Sequence, residues 1–458
     1  MPKIAISFYG GAREVTGACY LLEIGSPSNA SGQSTRALRV LVDCGMFQGC
    51  DDCDIRTHAP FPFDVGALDA VVITHAHIDH IGRIPKLWRE GYRGPIYATP
   101  PTCDLTGILL EDAMNFFASP ETALFSASDL RSATGLFHPL EYDTRVDLGP
   151  ECSFKLLNAG HILGSSFVRF QTGGRVAVFS GDVGNAPSVL LPERASIPEA
   201  NILVVESAYG NRTHKHTEDR VLLLERAMED VAERKGTLMM PAFATERTQE
   251  ILHEINELIQ ERRVPAMPVF VDSPLAIKAT RIFSKYPEYY REEIRGLHRQ
   301  HPHLFEFRNL KFTQSVAESK AINDVPPPKV ILAGSGMSAG GRILHHEKRY
   351  LVDPKSILLM TGYQAAGSLG RRLIDHAEEV KIHGETVSVR AEIRAIDGYS
   401  AHADERQLLA FANEMRENLE HVFVVQGEPA AALGFTQVVR DRLGVPADAP
   451  TYGERFEV

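Results

Sequence analysis

Three histidines and an aspartate fall within six positions, His75-Ala76-His77-Ile78-Asp79-His80, straight after the apolar run Leu68 to Thr74. The run reads as a buried β-strand. Imidazole and carboxylate are the donors that borderline divalent metals such as zinc prefer. A chain with this feature must therefore build a sheet whose strand ends open into one loop of metal donors. Donors at this density point to metal-dependent chemistry rather than to a polar capping turn.

The totals fit a globular chain of two or three domains. It has 458 residues, 44% hydrophobic and 23% charged. No apolar run approaches the ~20 residues that span a bilayer, so no membrane association is expected. Met1 to Ser7 enters a strand pattern without the apolar core and cleavage site of a signal peptide, which places the protein in the cytoplasm. All six cysteines lie in the first third of the chain. In a reducing compartment they are expected as thiols, and Cys50-x-x-Cys53 reads as a loop with two free thiols. The net charge of −11 excludes a globally positive field. A nucleic-acid binder of this charge needs a local basic groove or the metals themselves.

Strands alternate with turns over the first ~205 residues. Ile4 to Phe8, Cys19 to Ile24, Ala37 to Val42, Ala70 to Thr74, Phe154 to Leu157, Ser166 to Gln171 and Arg175 to Ser180 carry the pattern. Ser26 to Arg36 is a polar hairpin loop. Beyond Glu206, helices are expected over 218–235 and 246–263. Short apolar strands flank them, at Thr237–Met240, Val269–Val271, Lys329–Ala333 and Ser356–Met360. That alternation reads as a parallel α/β unit. A strand over Glu385–Ile396, a helix over Asp404–Asn418 and a strand over Val422–Val425 complete the chain.

Further donors stand at other strand ends, beside glycines that permit tight backbone approach. His161 follows Leu156-Leu157-Asn158-Ala159-Gly160, and Asp182 follows Val176 to Gly181. The inventory allows two metal positions. His75, His77 and His161 form a three-imidazole zinc site with one coordination position open. Asp79 and His80 hold a second ion, bridged by Asp182. Asp43 is placed behind the ligands, orienting their loop. Two such ions activate water and stabilise the leaving oxygen of an in-line displacement.

His75-x-His77-x-Asp79-His80, with Asp43, His161 and Asp182, resembles the metallo-β-lactamase superfamily. The length and later motifs resemble its β-CASP nuclease branch, over essentially the whole chain. This branch includes bacterial and archaeal ribonucleases and is similar to the pre-mRNA 3′-end cleavage endonuclease. The resemblance implies an α/β fold: an αββα sandwich of residues 1–207 and 396–458, with a parallel α/β β-CASP domain inserted at 208–395. Val204-Val205-Glu206-Ser207 looks like one branch motif, with Glu206 as its acid. Ser400-Ala401-His402-Ala403 looks like another, with His402 as its histidine. In relatives this pair protonates the leaving oxygen, and a carboxylate does raise the pKa of an adjacent imidazole. Asp182, His402, Glu206 and Asp43 are thus the expected catalytic group.

One position departs from the pattern. RNA-cleaving relatives carry a histidine ahead of Gly-Glu after the final strand, and here Val425-Gln426-Gly427-Glu428 puts Gln426 in its place. An amide oxygen ligates zinc less well than imidazole. The expected cofactors are therefore two divalent ions, zinc at the first site and a weaker zinc, or a harder ion such as manganese, at the second.

The resemblance also indicates the substrate end. The glycine-rich segment Gly334 to Arg342 follows a strand, and small residues there let backbone N–H groups reach phosphate, with Ser335, Gly336 and Ser338 as contacts. Arg247 matches a phosphate-facing arginine of relatives, and Tyr363 is placed to stack on a base or bond a phosphate. Lys278, Arg281, Lys285, Arg371 and Arg372 are candidates for a local positive surface. His301, His303, His345 and His346 read as structural or surface residues.

The expected activity is metal-dependent hydrolysis of phosphodiester bonds in single-stranded RNA, endo- or 5′-3′ exonucleolytic, by a metal-activated water with His402 and Glu206 assisting. The alternatives are DNA cleavage by the same machinery and a catalytically weak RNA-binding or processing subunit. A small-molecule hydrolase of the same fold is disfavoured by the chain length and the Glu206/His402 pair. A homodimer is compatible with this family.

Overall fold

The computed structural model describes residues 3–25, 36–117, 122–149, 152–214, 219–362, 364 and 367–458. Most of the polar loop at 26–36, the first residue of the helix expected over 218–235, and Tyr363 lie outside the described residues. The chain forms two units, Met1–Thr213 with His402–Val458, and His214–Ala401.

The first unit is built on two seven-stranded sheets. One runs Arg455–Glu457, Lys3–Phe8, Tyr20–Gly25, Leu38–Val42, Ala70–Val72, Ile96–Ala98, Phe137–Pro139. The other runs Ala447–Asp448, His421–Val425, Ile202–Glu206, Arg175–Phe179, Ser166–Thr172, Cys152–Asn158, Val146–Gly149. Side-chain alternation sorts each strand between two apolar layers. Ile4, Ile6, Phe8, Val40 and Val42 pack inward against Phe154, Phe170, Phe179, Ile202 and Val204 of the second sheet. Leu203, Val205, Val422 and Val424 point the other way, onto Leu408, Phe411, Phe435 and Val439. Those residues belong to the helices Glu405–Glu414 and Pro429–Leu443. Leu41, Val71 and Ile73 pack with Leu87, Leu110 and Leu130, from the helices Ile84–Arg89, Pro100–Ala113 and Ala127–Thr134. The result is a helix–sheet–sheet–helix sandwich. A one-residue slip of any central strand would exchange its two apolar faces, so the register is strongly specified.

The topology also gathers the donors. Arg175–Phe179, Ile202–Glu206 and His421–Val425 are parallel neighbours. Cys152–Asn158 and Arg175–Phe179 both run antiparallel to Ser166–Thr172, so they share a direction. Their C-terminal ends release His161, Asp182, Glu206 and Gln426 at one edge. The parallel pair Leu38–Val42 and Ala70–Val72 releases Asp43 and the His75–His80 loop.

The second unit carries an all-parallel six-stranded sheet. Its order is Leu310–Phe312, Val269–Asp272, Lys329–Ala333, Thr237–Pro241, Ile357–Met360, Glu392–Ala395. Both faces are buried, which explains why these strands read as continuous apolar runs. The helices Arg220–Arg234 and Arg247–Gln260 form where the periodicity placed them.

Two expectations are corrected. The single strand over Glu385–Ile396 is two, Glu385–Ser388 and Glu392–Ala395. Between them Arg390 N and Ala391 N both donate to Leu351 O, which pulls the backbone out of the first pairing and lets it join the parallel sheet. Cys50 and Cys53 are not free thiols but a disulfide, their Cα atoms 5.1 Å apart. The turn leading into the helix Cys53–His58 brings the two within bonding range. Among the described residues no helix is long and apolar enough to cross a membrane.

Candidate metal centre

Asp43 organises the site from behind. Its carboxylate is fully buried and accepts from Thr74 N and Thr74 Oγ1, each at 2.8 Å. Its Oδ2 also lies 2.7 Å from His80 Nδ1. A carboxylate here only accepts, so Nδ1 carries the hydrogen and Nε2 of His80 points away with its lone pair. Such carboxylate–histidine pairs fix tautomer and ring orientation. Asp43→Ala is expected to weaken metal binding by roughly 10–100-fold, read by titrating chelator-stripped protein. Thr74 was not legible as part of the site, because nothing local distinguishes a threonine that bonds a carboxylate 31 positions away.

Glycine is required where two loops touch. A Cβ on Gly45 would lie 1.5 Å from Asp79 O, and Met46 N bonds Ile78 O at 3.1 Å. Gly45→Ala must push the Asp79 backbone aside. It is expected to destabilise the protein by about 1–3 kcal/mol, seen as a lowered Tm.

Four ligand atoms converge in front of this support. His75 Nε2 and His77 Nδ1 are 3.0 Å apart, and His161 Nε2 is 3.2 Å from His77 Nδ1. Asp182 Oδ2 lies 3.3 Å from His75 Nε2 and 3.2 Å from His161 Nε2. A tetrahedral zinc with bonds of ~2.0–2.1 Å separates its ligands by about 3.3 Å, so the donor set fits a cation without rearrangement. Burial, reinforced by His75, holds His77 well below the ordinary imidazole range. Burial also lowers His161, against the pull of Asp182. Both are therefore neutral ligands. Burial would raise Asp182, but His80 and His75 facing it hold its carboxyl anionic.

Asp182 joins this cluster to a second. Its Oδ2 is 3.8 Å from His402 Nε2, and His402 Nδ1 is 3.1 Å from Glu206 Oε1. Glu206 is fully buried and fixed by Val183 N at 2.7 Å and Ala208 N at 3.2 Å. His402 is held by a β-bridge to Gly184 and by Ala403 N donating to Val183 O at 2.8 Å. Burial depresses the His402 pKa, but Glu206 and Asp182 outweigh it and lift it to about 9.

The remaining expected ligands sit on the other side of Asp182. His80 Nε2 is 3.3 Å from Asp182 Oδ1 and 3.9 Å from Asp79 Oδ2. The amide Nε2 of Gln426 lies 2.7 Å from His80 Nε2 and 2.9 Å from Asp182 Oδ1. Every metal ligand expected from the sequence is thus in one place.

In the second unit the glycine-rich loop closes on itself. Ser335 N donates to Gly340 O, Ser338 N to Ser335 O and Ala339 N to Ser335 Oγ. Ser338 is buried and its hydroxyl donates to Glu347, while Ser335 and Gly336 are half-buried. Arg247 is also buried, 3.5 Å from Glu250 and over the ring of Tyr399. His346 is structural, bonding the buried Asp272 at 2.7 Å, and Arg371 pairs with Asp375 on the surface.

Residues 38–242 match the beta-lactamase superfamily domain, 248–373 the Beta-Casp domain, and 386–450 the Zn-dependent metallo-hydrolase RNA specificity domain. The chain is 39% identical to Ribonuclease TTHA0252 of Thermus thermophilus over 98% of its own length and 99% of the relative's. It is 33% identical to transcription termination factor FttA of Methanosarcina mazei, over 98% of this chain and 70% of that protein. The RNase J-like protein of Methanocaldococcus jannaschii is 31% identical, over 98% and 99%. A crystal structure of an Enterococcus faecalis V583 protein of unknown function shares the fold, with a TM-score of 0.59 at 14% identity over 100% of both chains. With its histidine–aspartate cluster at the edge of a four-layer sandwich and these matches along its length, the chain belongs to the β-CASP branch of the metallo-β-lactamase superfamily.

Proposed function

We propose that this protein is a metal-dependent ribonuclease that hydrolyses phosphodiester bonds in single-stranded RNA. The observation that carries the reading is the join at Asp182, where a cation site meets a histidine already paired with a carboxylate. A small-molecule hydrolase needs the first half of that arrangement. A poor alkoxide leaving group needs the second as well, because it must be protonated as it departs. The ribonuclease named among the relatives and the RNA specificity domain support RNA as substrate.

His75, His77, His161 and Asp182 would hold the principal ion, and Asp79, His80, Asp182 and Gln426 a second. When bound, such ions neutralise charge on the phosphoryl oxygens and lower the pKa of water. The chain's own groups do the rest. As water adds to phosphorus and the bond to the departing oxygen breaks, His402 passes its Nε2 proton to that oxygen. Glu206 keeps the ring oriented and stabilises the imidazolium beforehand. Neutral His77 and His161 leave Asp182 as the anion of the principal site, so the site's positive potential toward phosphate is preserved. Ser335 and Gly336 are proposed as phosphate contacts, while Ser338 shapes their loop from inside.

The test is cleavage of 5′-labelled single-stranded RNA and matched DNA by wild type and by His77→Ala/Asp79→Ala. RNA fragments from the wild type alone are expected, and the ladder distinguishes end-directed from internal cuts. Intact RNA with added zinc or manganese would overturn the reading, and preferential DNA cleavage would reassign the substrate.

A further inference from the structure

Two buried polar atoms beside the ligands have no hydrogen-bond partner, the Tyr20 hydroxyl and Oε1 of Gln426. Tyr20 is 2% exposed and Gln426 3%. They are neighbours: a Cβ on Gly11 would lie 2.4 Å from the Tyr20 oxygen and 3.0 Å from Gln426 Cγ. Buried polar atoms are nearly always paired, so two orphans side by side mark a second arrangement or an absent ligand.

The other end of the same amide is fully engaged, and the chemistry fixes which end it is. Asp182 Oδ1, 2.9 Å away, accepts, so the amide must present its NH2 group and not its oxygen. That NH2 group is also 2.7 Å from His80 Nε2, which accepts because Nδ1–H of the same ring faces Asp43. One hydrogen goes to each. The amide nitrogen therefore stands between two groups that, with Asp79, make up the second cation site. The backbone fixes the residue there, with φ at +47° and Gln426 N donating to Gly11 O at 2.6 Å. Exchange is left to the terminal amide torsion, which is soft.

We propose that Gln426 is a two-position gate on the second cation site. With NH2 inward it substitutes for the ion by bonding His80 and Asp182. Turned over, Oε1 becomes a ligand and the NH2 group donates to the Tyr20 oxygen, which gives both orphans a partner or a role. A second ion must displace two hydrogen bonds to enter, while the first displaces none. The second ion thus binds reversibly and makes the protein responsive to divalent-ion concentration. This gate rests on the metal-dependent hydrolase reading above.

The test counts ions. Chelator-stripped protein is titrated with zinc by calorimetry, and metal content is measured after gel filtration. The wild type is expected to retain about one ion per chain and to bind a second about 100-fold more weakly. Gln426→Glu keeps the shape, cannot donate and adds charge; it should retain both ions, as should Gln426→His. A gain of bound metal cannot come from misfolding. Tyr20→Phe should weaken the second ion by a further roughly two- to tenfold and leave the first unchanged. Two ions of equal affinity in the wild type would overturn the gate. So would a second site that Gln426→Glu leaves unaltered. RNA cleavage is scored separately: cleavage that survives stripping would overturn the hydrolase reading whatever the ion count.

Discussion

His77→Ala is expected to abolish tight cation binding and to slow RNA cleavage at least about a thousandfold. His77 Nδ1 is the atom that lies 3.0 Å from one imidazole of the cluster and 3.2 Å from another. Without it, two imidazoles and one carboxylate remain, too few to close a tetrahedral site with an open position. Losing even a group that only orients a ligand weakens metal binding roughly 10–100-fold, so losing a ligand should exceed that. An ion at the reacting phosphate is worth several kcal/mol of transition-state stabilisation, and each ~1.36 kcal/mol is tenfold in rate. Single-turnover rates beside metal content check both parts. Metal retained with the rate lost would mean that His77 acts directly on the substrate instead.

His402→Ala should give the second large effect, a loss of about 10²–10⁴ in rate with metal content unchanged. The histidine is joined to the principal site only through the 3.8 Å approach to Asp182, so removing it leaves the ligands in place. A diagnostic distinguishes proton donation from mere shape. A phosphodiester with a nitrophenolate leaving group needs no proton, so the variant should cleave it nearly as fast as the wild type does. Glu206→Gln separates the two members of the pair. Burial lowers the His402 pKa, and Glu206 and Asp182 raise it to about 9. His402 works as an acid in its protonated form, below that pKa. Removing the Glu206 charge lowers the pKa, so the alkaline fall in rate should move to lower pH. A pH profile with an unmoved alkaline limb would deny His402 the acid role.

The metal ligands were readable because their chemistry is local. Histidine and aspartate stand immediately after apolar strands, and strands that end at a common sheet edge deliver their next residues to one place. Glu206 and His402 are different. They are 196 positions apart, and only the resemblance of their flanking motifs connected them. Thr74 and Tyr20 were not legible, since each acts through partners that the fold alone brings near. The Cys50–Cys53 disulfide was missed because spacing does not tell a bonded pair from two thiols. In the glycine-rich loop, composition told that the backbone turns tightly but not where its N–H groups go. Ser335, Ser338 and Ala339 all bond within the loop, and the Ser338 hydroxyl turns inward to Glu347. The strand over 385–396 failed for a related reason, since the carbonyl that breaks it belongs to Leu351, outside any local window.

The most direct test tracks RNA cleavage as metal is returned to the stripped protein. A 5′-labelled single-stranded RNA is incubated with chelator-treated protein, and zinc is added in steps below and above one ion per chain. The expected result is intact RNA at the start and cleavage that appears with the first bound ions in the wild type, but not in His77→Ala. Cleavage by the stripped wild type, or equal cleavage by both proteins, would contradict the assignment of the His75, His77, His161 and Asp182 cluster as the reaction centre.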